Sequence, residues 1–275
     1  MIRVSEPVAL PVPRSALGEG ARWDHEAGRL LWVDIPAGLV HTLAGGRHES
    51  IDVGRPVTVA VPAARGGLAL ALREGFALLT AGGPPEVLAT VIEAGGRMND
   101  GACDSAGRFF AGTMTDAPGV GALYRLGADR HVERVVGGVT ISNGIAWSPD
   151  ESLMYYVDTA LGRVDVFDYD PGSGDLANRR TFVPVTRGRP DGITVDASGH
   201  VWVAVWEGGA VLRYGPGGRL DLVVEIPASR VTSCAFGGPG LDELYVTTAS
   251  DGRTGGEVFR CRTSATGLPA HPYRG

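Results

Sequence analysis

Six stretches of this 275-residue chain repeat one grammar: a small residue, alternating apolar residues, a polar turn, then a second alternating run. They are EGARWDHEAGRLLWVD at 19–34, TVAVPAARGGLALAL at 58–72, NDGACDSAGRFFAGT at 99–113, NGIAWSPDESLMYYVD at 143–158, DGITVDASGHVWVAV at 191–205 and SCAFGGPGLDELYVT at 233–247. Aligned on Gly20, Ala60, Gly101, Gly144, Gly192 and Ala235, they recur at intervals of 40, 41, 43, 48 and 43 residues. A period of 40–45 residues carrying four strands is that of a β-propeller blade. The turns agree: DHEAGR, DSAGR, SPDES and DASGH each separate two runs of period two, as hairpin turns do. Further strands follow at 162–170 and 179–185 in the fourth repeat, and in GAVLRYGPGG and LDLVVEIP of the fifth. The expected architecture is therefore all-β: residues 1–275 as a single six-bladed β-propeller domain, with no amphipathic helix. Segment 2–12 has strand character and is expected to complete the last blade, so that no long edge stays bare. The second repeat is the least regular.

Composition removes several functions. The 42 glycines and 18 prolines favour short strands and tight turns. Every basic residue is arginine, so lysine Schiff-base chemistry and a Walker-type phosphate loop are excluded. A net charge of −6 argues against a nucleic-acid partner. The first residues, MIRVSEPVALPVPRS, lack the continuous apolar core of an export signal, and no apolar run approaches a membrane span of about 20 residues. A cytoplasmic protein without a membrane partner is the expectation. Cys103, Cys234 and Cys261, odd in number and in apolar strand-like settings, read as reduced thiols that pack.

The first strand of each propeller blade lines the central channel, so matching positions of different blades converge although they lie 40 or more residues apart. Just before the alignment mark stand Glu19, Asp100, Asn143 and Asp191, with Asn99 one residue further back. Carboxylates converging in a narrow channel repel and are costly to bury. A cation resolves that. Oxygen donors without His or Cys suit Ca²⁺, Mg²⁺ or Mn²⁺ ahead of a structural Zn²⁺. The plain alternative is that Asn-Gly and Asp-Gly are ordinary turn signals; their coincidence in repeat register is what favours a metal site.

Other patterns carry less. There is no G-x-S-x-G and no H-E-x-x-H, and the six histidines are scattered. Residues 168–172, DYDPG, resemble the start of a calcium loop, but Arg179 stands where the closing Glu belongs, so a hairpin turn is the reading. Trp23, Trp32, Trp147 and Trp202 read as blade packing, while Trp206, which ends a strand near the channel, is open between packing and ligand contact.

Five ordered motifs resemble the regucalcin/gluconolactonase family, which includes senescence marker protein and luciferin-regenerating enzyme. They are LGEGARWD at 17–24, RMNDGACDSAGRFFAGTM at 97–114, ISNGIAWSPD at 141–150, RPDGITVDASGHVWVAVW at 189–206 and TSCAFGGPGLDELYVTTA at 232–249. The resemblance covers about residues 15–250. It implies a six-bladed propeller with one divalent metal ion in its channel (Ca²⁺, Zn²⁺, Mn²⁺ or Mg²⁺) and hydrolysis of sugar lactones. Position by position, it implies Glu19, Asn143 and Asp191 as metal ligands, with Asn99 near the metal and touching substrate, and Arg97 on sugar hydroxyls. One feature departs from the pattern. Regucalcin-like members carry a substrate-contacting Glu after the G-T-M motif, where this chain has TDAPGVGALY with Asp116 as its only acid. A smaller or less polar lactone is therefore open, and residues 112–124 are expected to border the pocket mouth.

The chemistry so implied is metal-assisted ester hydrolysis, with attack by a water beside the metal and Asp191 as general base. Asp100 reads as a turn or supporting residue, and Arg97, two positions before Asn99, shares its strand face. Rival readings are an arylesterase or phosphotriesterase-type hydrolase, a biosynthetic enzyme on the same scaffold, and a non-catalytic calcium-binding propeller.

Overall fold

The computed structural model describes residues 2–92 and 95–275. Its strands form six four-stranded antiparallel sheets, each a blade. The innermost strands are Gly18–Asp24, Val57–Pro62, Arg97–Cys103, Ser142–Trp147, Arg189–Val195 and Val231–Gly237. Each touches the next around a closed ring, the sixth returning to the first. The only helical element among the described residues is one 3₁₀ turn, Thr159–Leu161. In blade six the outermost strand is the N-terminal Val8–Ala9, paired with Phe259–Arg262 so that Val8 faces Arg260. Segment 2–12 thus closes the ring, as its strand character implies.

Strands buried on both faces explain the near-continuous apolar runs such as Leu68–Leu72. The core is divided accordingly into six clusters, one in each seam between neighbouring blades. Val157, Val164 and Val183 of blade four meet Ile193, Val203 and Leu212 of blade five, for example. The smallest cluster, Leu30, Trp32, Tyr245 and Val258, fills the closing seam between blades six and one. Cys103, Cys234 and Cys261 are all buried free thiols, and burial pushes Cys103 up to about 12. They pack rather than react.

Aspartates build the turns. The Oδ1 of Asp24 accepts from the Ala27 N–H, that of Asp104 from Arg108, and that of Asp196 from both Ser198 and His200. Such Asx turns let the backbone reverse without leaving donors unpaired. Asp170 does the same for Gly172, so the DYDPG stretch is a hairpin turn.

All six inner strands break register at one place. The irregularities fall between Glu19 and Arg22, Val57 and Val59, Met98 and Gly101, Ser142 and Ile145, Pro190 and Ile193, and Val231 and Ser233. A bulge bends a strand and re-aims a side chain. In blades one, three, four and five it falls at the alignment glycine, whereas in blades two and six it falls at Thr58 and Thr232, ahead of the alignment alanine. Two of the glycines there permit close approach of neighbouring blades. A Cβ on Gly144 would stand 2.5 Å from the Ile193 nitrogen and 2.7 Å from the Asp191 carbonyl oxygen, and one on Gly192 2.9 Å from the Ser233 Cα.

Gly144→Ala is expected to destabilise the protein by about 1–3 kcal/mol in urea unfolding, the usual cost of overpacking against backbone. Gly217→Ala, which meets no heavy atom within 4 Å, should stay within about 0.5 kcal/mol of the parent. Equal stability of the two variants would reject the close-approach role of Gly144.

Candidate active site and metal centre

The bulges deliver Glu19, Asn99, Asn143 and Asp191 into the channel as buried polar side chains. The approach to two of these strands is clamped by an aspartate from the end of the adjacent strand. Asp34 accepts from the Ala16 and Leu17 N–H groups at 2.9 and 3.1 Å, just before Glu19. Asp158 accepts from Thr140 and Ile141 at 3.1 and 3.0 Å, just before Asn143. The repeated Val-Asp that ends LLWVD and MYYVD is the trace of this clamp in the sequence.

Asn143 is oriented by a residue that sequence reasoning missed. Its Nδ2 donates to the Thr159 Oγ1 at 3.0 Å, and that hydroxyl donates to the Pro190 carbonyl at 2.8 Å. Thr159 therefore ties Asn143 of blade four to the residue preceding Asp191 of blade five. With its nitrogen engaged, the amide leaves Oδ1 buried without a hydrogen-bond partner, and the Asp191 Oδ1 is likewise buried and unpartnered. Nearly all buried polar atoms in proteins are paired, so two such oxygens in one channel point to an electrophile as their complement.

Asn99 differs. Its Nδ2 donates to the Ser142 carbonyl at 2.7 Å, and its Oδ1 accepts from the Arg97 Nη1 at 2.5 Å. Both ends of this amide are committed. Asn99 thus fixes Arg97, which shares its strand face as the spacing implies. Asp100 holds the Gly101 N–H at 2.7 Å, the turn-like contact expected of it, yet it is also electrostatically coupled to the pair of carboxyls above.

Burial raises the Glu19 carboxyl to about 8, with the Asp100 charge adding to the rise and Arg97 opposing it. Burial also raises Asp191 well above the usual carboxylate range, reinforced by Glu19 and then Asp100. Burial lowers the Arg97 guanidinium, against the pull of Glu19 and Asp191. These mutual influences bring Glu19, Asp191 and Arg97 into one site. Glu19, Asn143 and Asp191 together offer two carboxyl groups and one amide oxygen. That donor set fits a hard or intermediate divalent cation, which would restore both carboxylates to their charged form.

The mouth carries the remaining candidates. Trp206 ends a strand of blade five opposite Arg189, and the Arg230 guanidinium lies 5.1 Å from its ring centroid. Asp116 is exposed, in a loop held by Gly119 N–H donation to Thr140 Oγ1 at 3.0 Å.

Residues 17–250 match the SMP-30/Gluconolactonase/LRE-like region. The chain belongs to this family. Among its relatives is the pentonolactonase XacC of Haloferax volcanii, 38% identical over 271 residues that cover 92% of this chain and 93% of that protein. The structure of a luciferin-regenerating enzyme superposes with a TM-score of 0.89 at 32% identity, covering 98% and 99% of the two chains. That of a calcium-binding protein, regucalcin from Agrobacterium tumefaciens, gives 0.90 at 28% identity, covering 97% and 96%. The six-bladed propeller anticipated from the SMP-30/Gluconolactonase/LRE-like motifs is thus the fold of the chain.

The raised carboxyls have a consequence for stability. A carboxyl whose folded pKa exceeds its unfolded value binds more protons when folded, so stability is full below the unfolded pKa and falls as pH rises through the folded one. In excess chelator, the melting temperature should therefore fall between pH 5 and pH 8, the window set by Glu19 moving from 4.5 to about 8. Glu19→Gln should flatten that fall, and millimolar Ca²⁺ or Mn²⁺ should raise the melting temperature most at pH 8. A flat profile in chelator, or no cation effect, would contradict the electrostatics described.

Proposed function

We propose that this protein is a metal-dependent lactonase that opens a small sugar lactone by attack of water. The observation that carries the reading is the pair of buried, unpartnered oxygens on Asn143 and Asp191 beside the raised carboxyl of Glu19. The name of the 38% identical relative, a pentonolactonase, supports the same chemistry.

Glu19, Asn143 and Asp191 would hold the divalent cation. When bound, it supplies Lewis acidity to the lactone carbonyl. Asp191 takes the proton of the attacking water through the carboxylate oxygen that does not face the cation and returns it to the ring oxygen as the acyl C–O bond breaks, releasing a hydroxy acid. Arg97 spends its Nη1 on Asn99 and the Met98 carbonyl, which leaves Nε and Nη2 to orient substrate hydroxyls. Asn99 is then a positioning residue for Arg97. The loop after Met114 carries no glutamate, and the reading extends to a smaller or less polar lactone.

A panel of pentono- and hexonolactones, followed by a pH indicator with metal content measured on the purified protein, tests the proposal. Chelation should abolish turnover, and Ca²⁺, Mn²⁺ or Zn²⁺ should restore it. Asp191→Asn should lower kcat by about 10²–10⁴-fold, the scale of a general acid–base group, with an unchanged circular-dichroism spectrum. Metal binding without turnover on any lactone, or near-normal kcat in Asp191→Asn, would reject it.

A further inference from the structure

A cavity of about 290 Å³ lies in the channel, lined by the later halves of the inner strands of blades one, three, four, five and six. None of Glu19, Arg97, Asn99, Asn143 or Asp191 lines it, although Gly20 and Asp100, the next residues of the same strands, do. It therefore occupies the opposite end of the channel from the site above. Its outer side is formed by Leu268–His271, part of a C-terminal strap. The strap starts on blades five and six, where Thr266 accepts from Ala197 at 2.8 Å and Gly267 donates to Leu241 at 2.7 Å. It ends on blades two and three, where Tyr273 pairs with Pro62 and Ala64 and its hydroxyl donates to the Gly127 carbonyl at 2.9 Å.

Into this cavity the first blade sends a guanidinium. At the first paired position after the bulge, the other blades place Val59, Gly101, Ile145, Ile193 and Ser233 where blade one has Arg22. Arg22 gives one N–H to the Gly101 carbonyl at 2.8 Å. Its Nε is buried without a partner, and no carboxylate oxygen of the described residues lies within 4 Å of it. A second donor, the Trp147 Nε1, is buried and unpartnered as well, and Trp147 lines the same cavity. The other acids there are engaged: Glu151 accepts from the Ser105 hydroxyl and lies 3.9 Å from His271, and Asp100 holds the Gly101 N–H. Around these groups stand Trp23, Ile145, Ile193, Phe236 and Leu268. A half-buried guanidinium with an idle Nε, near Asp100 but with no carboxylate oxygen in ion-pair reach, beside a second idle donor and apolar walls, is complementary to an anion with an apolar body.

We infer that this far-side cavity is a second binding site, for a small organic monocarboxylate whose charged end meets Arg22 and Trp147 and whose apolar body rests on Ile145, Ile193 and Phe236. The pocket shares none of the proposed metal ligands and takes no part in the reaction proposed at the metal centre.

Calorimetric titration of the full-length protein with benzoate, in excess chelator, tests this, with benzyl alcohol as the neutral control and tryptophan fluorescence as a second readout. Saturable benzoate binding is expected, with none for benzyl alcohol at the same concentrations. Arg22→Gln should weaken it by roughly tenfold or more, as loss of a charged hydrogen bond implies. Trp147→Phe should weaken it by about threefold or more, the cost of one neutral hydrogen bond. Arg97→Gln should leave it within about twofold, because Arg97 serves the opposite end. Loss of binding in Arg97→Gln with retention in Arg22→Gln would assign the anion to the metal end and overturn the inference. So would the absence of saturation up to about 10 mM, the limit of weak specific affinity. Should Arg22→Gln not fold, an unchanged affinity in folded Trp147→Phe overturns it equally.

Discussion

The structure depends on one local distortion repeated six times. Each inner strand bulges once, and in blades one, three, four and five the bulge falls at the glycine that marks the blade and turns a polar side chain just before it toward the axis. Regular pleating would send alternate residues of these strands into the seams, where the six apolar clusters leave no room for a carboxylate. In those four blades the distortion is tolerated because the mark is glycine. Gly20 takes the left-handed conformation at φ +61°, and Gly144 and Gly192 let neighbouring blades come closer than any side chain allows. Packing and chemistry thus meet at the same residues.

This is why so much was legible in the sequence. Because one geometry recurs, the residues it demands recur at near-constant spacing, and a small residue after Glu19, Asp100, Asn143 and Asp191 betrays both blade and channel. The Asx turns that separate paired strands were equally visible. Thr159 was not: it lies in the short turn after Asp158, and its service to Asn143 exists only because blade five brings the Pro190 carbonyl to it. Nor could spacing tell Asn99 from Asn143. Both are amides before a bulge, but Arg97 occupies the oxygen of one, while the oxygen of the other stays without a partner. That distinction is set by a neighbour on the same strand and a carbonyl from the next blade. Arg22 was hidden for a related reason, since a charged residue on an inner strand is unremarkable until its partners are counted.

Electrostatics joins the two ends of the channel. Glu19 and Asp191 stand nearest Arg97, and Asp100 stands between them and Arg22. Each guanidinium lowers the carboxyls it faces, and burial raises all three. Three carboxyls bracketed by two guanidiniums in a medium of low dielectric cannot all ionise without a further positive charge. A divalent cation on Glu19, Asn143 and Asp191 supplies that charge where the unpartnered oxygens are. By favouring the charged form of the carboxyls it faces, the cation takes the place of the protons that burial otherwise holds on them.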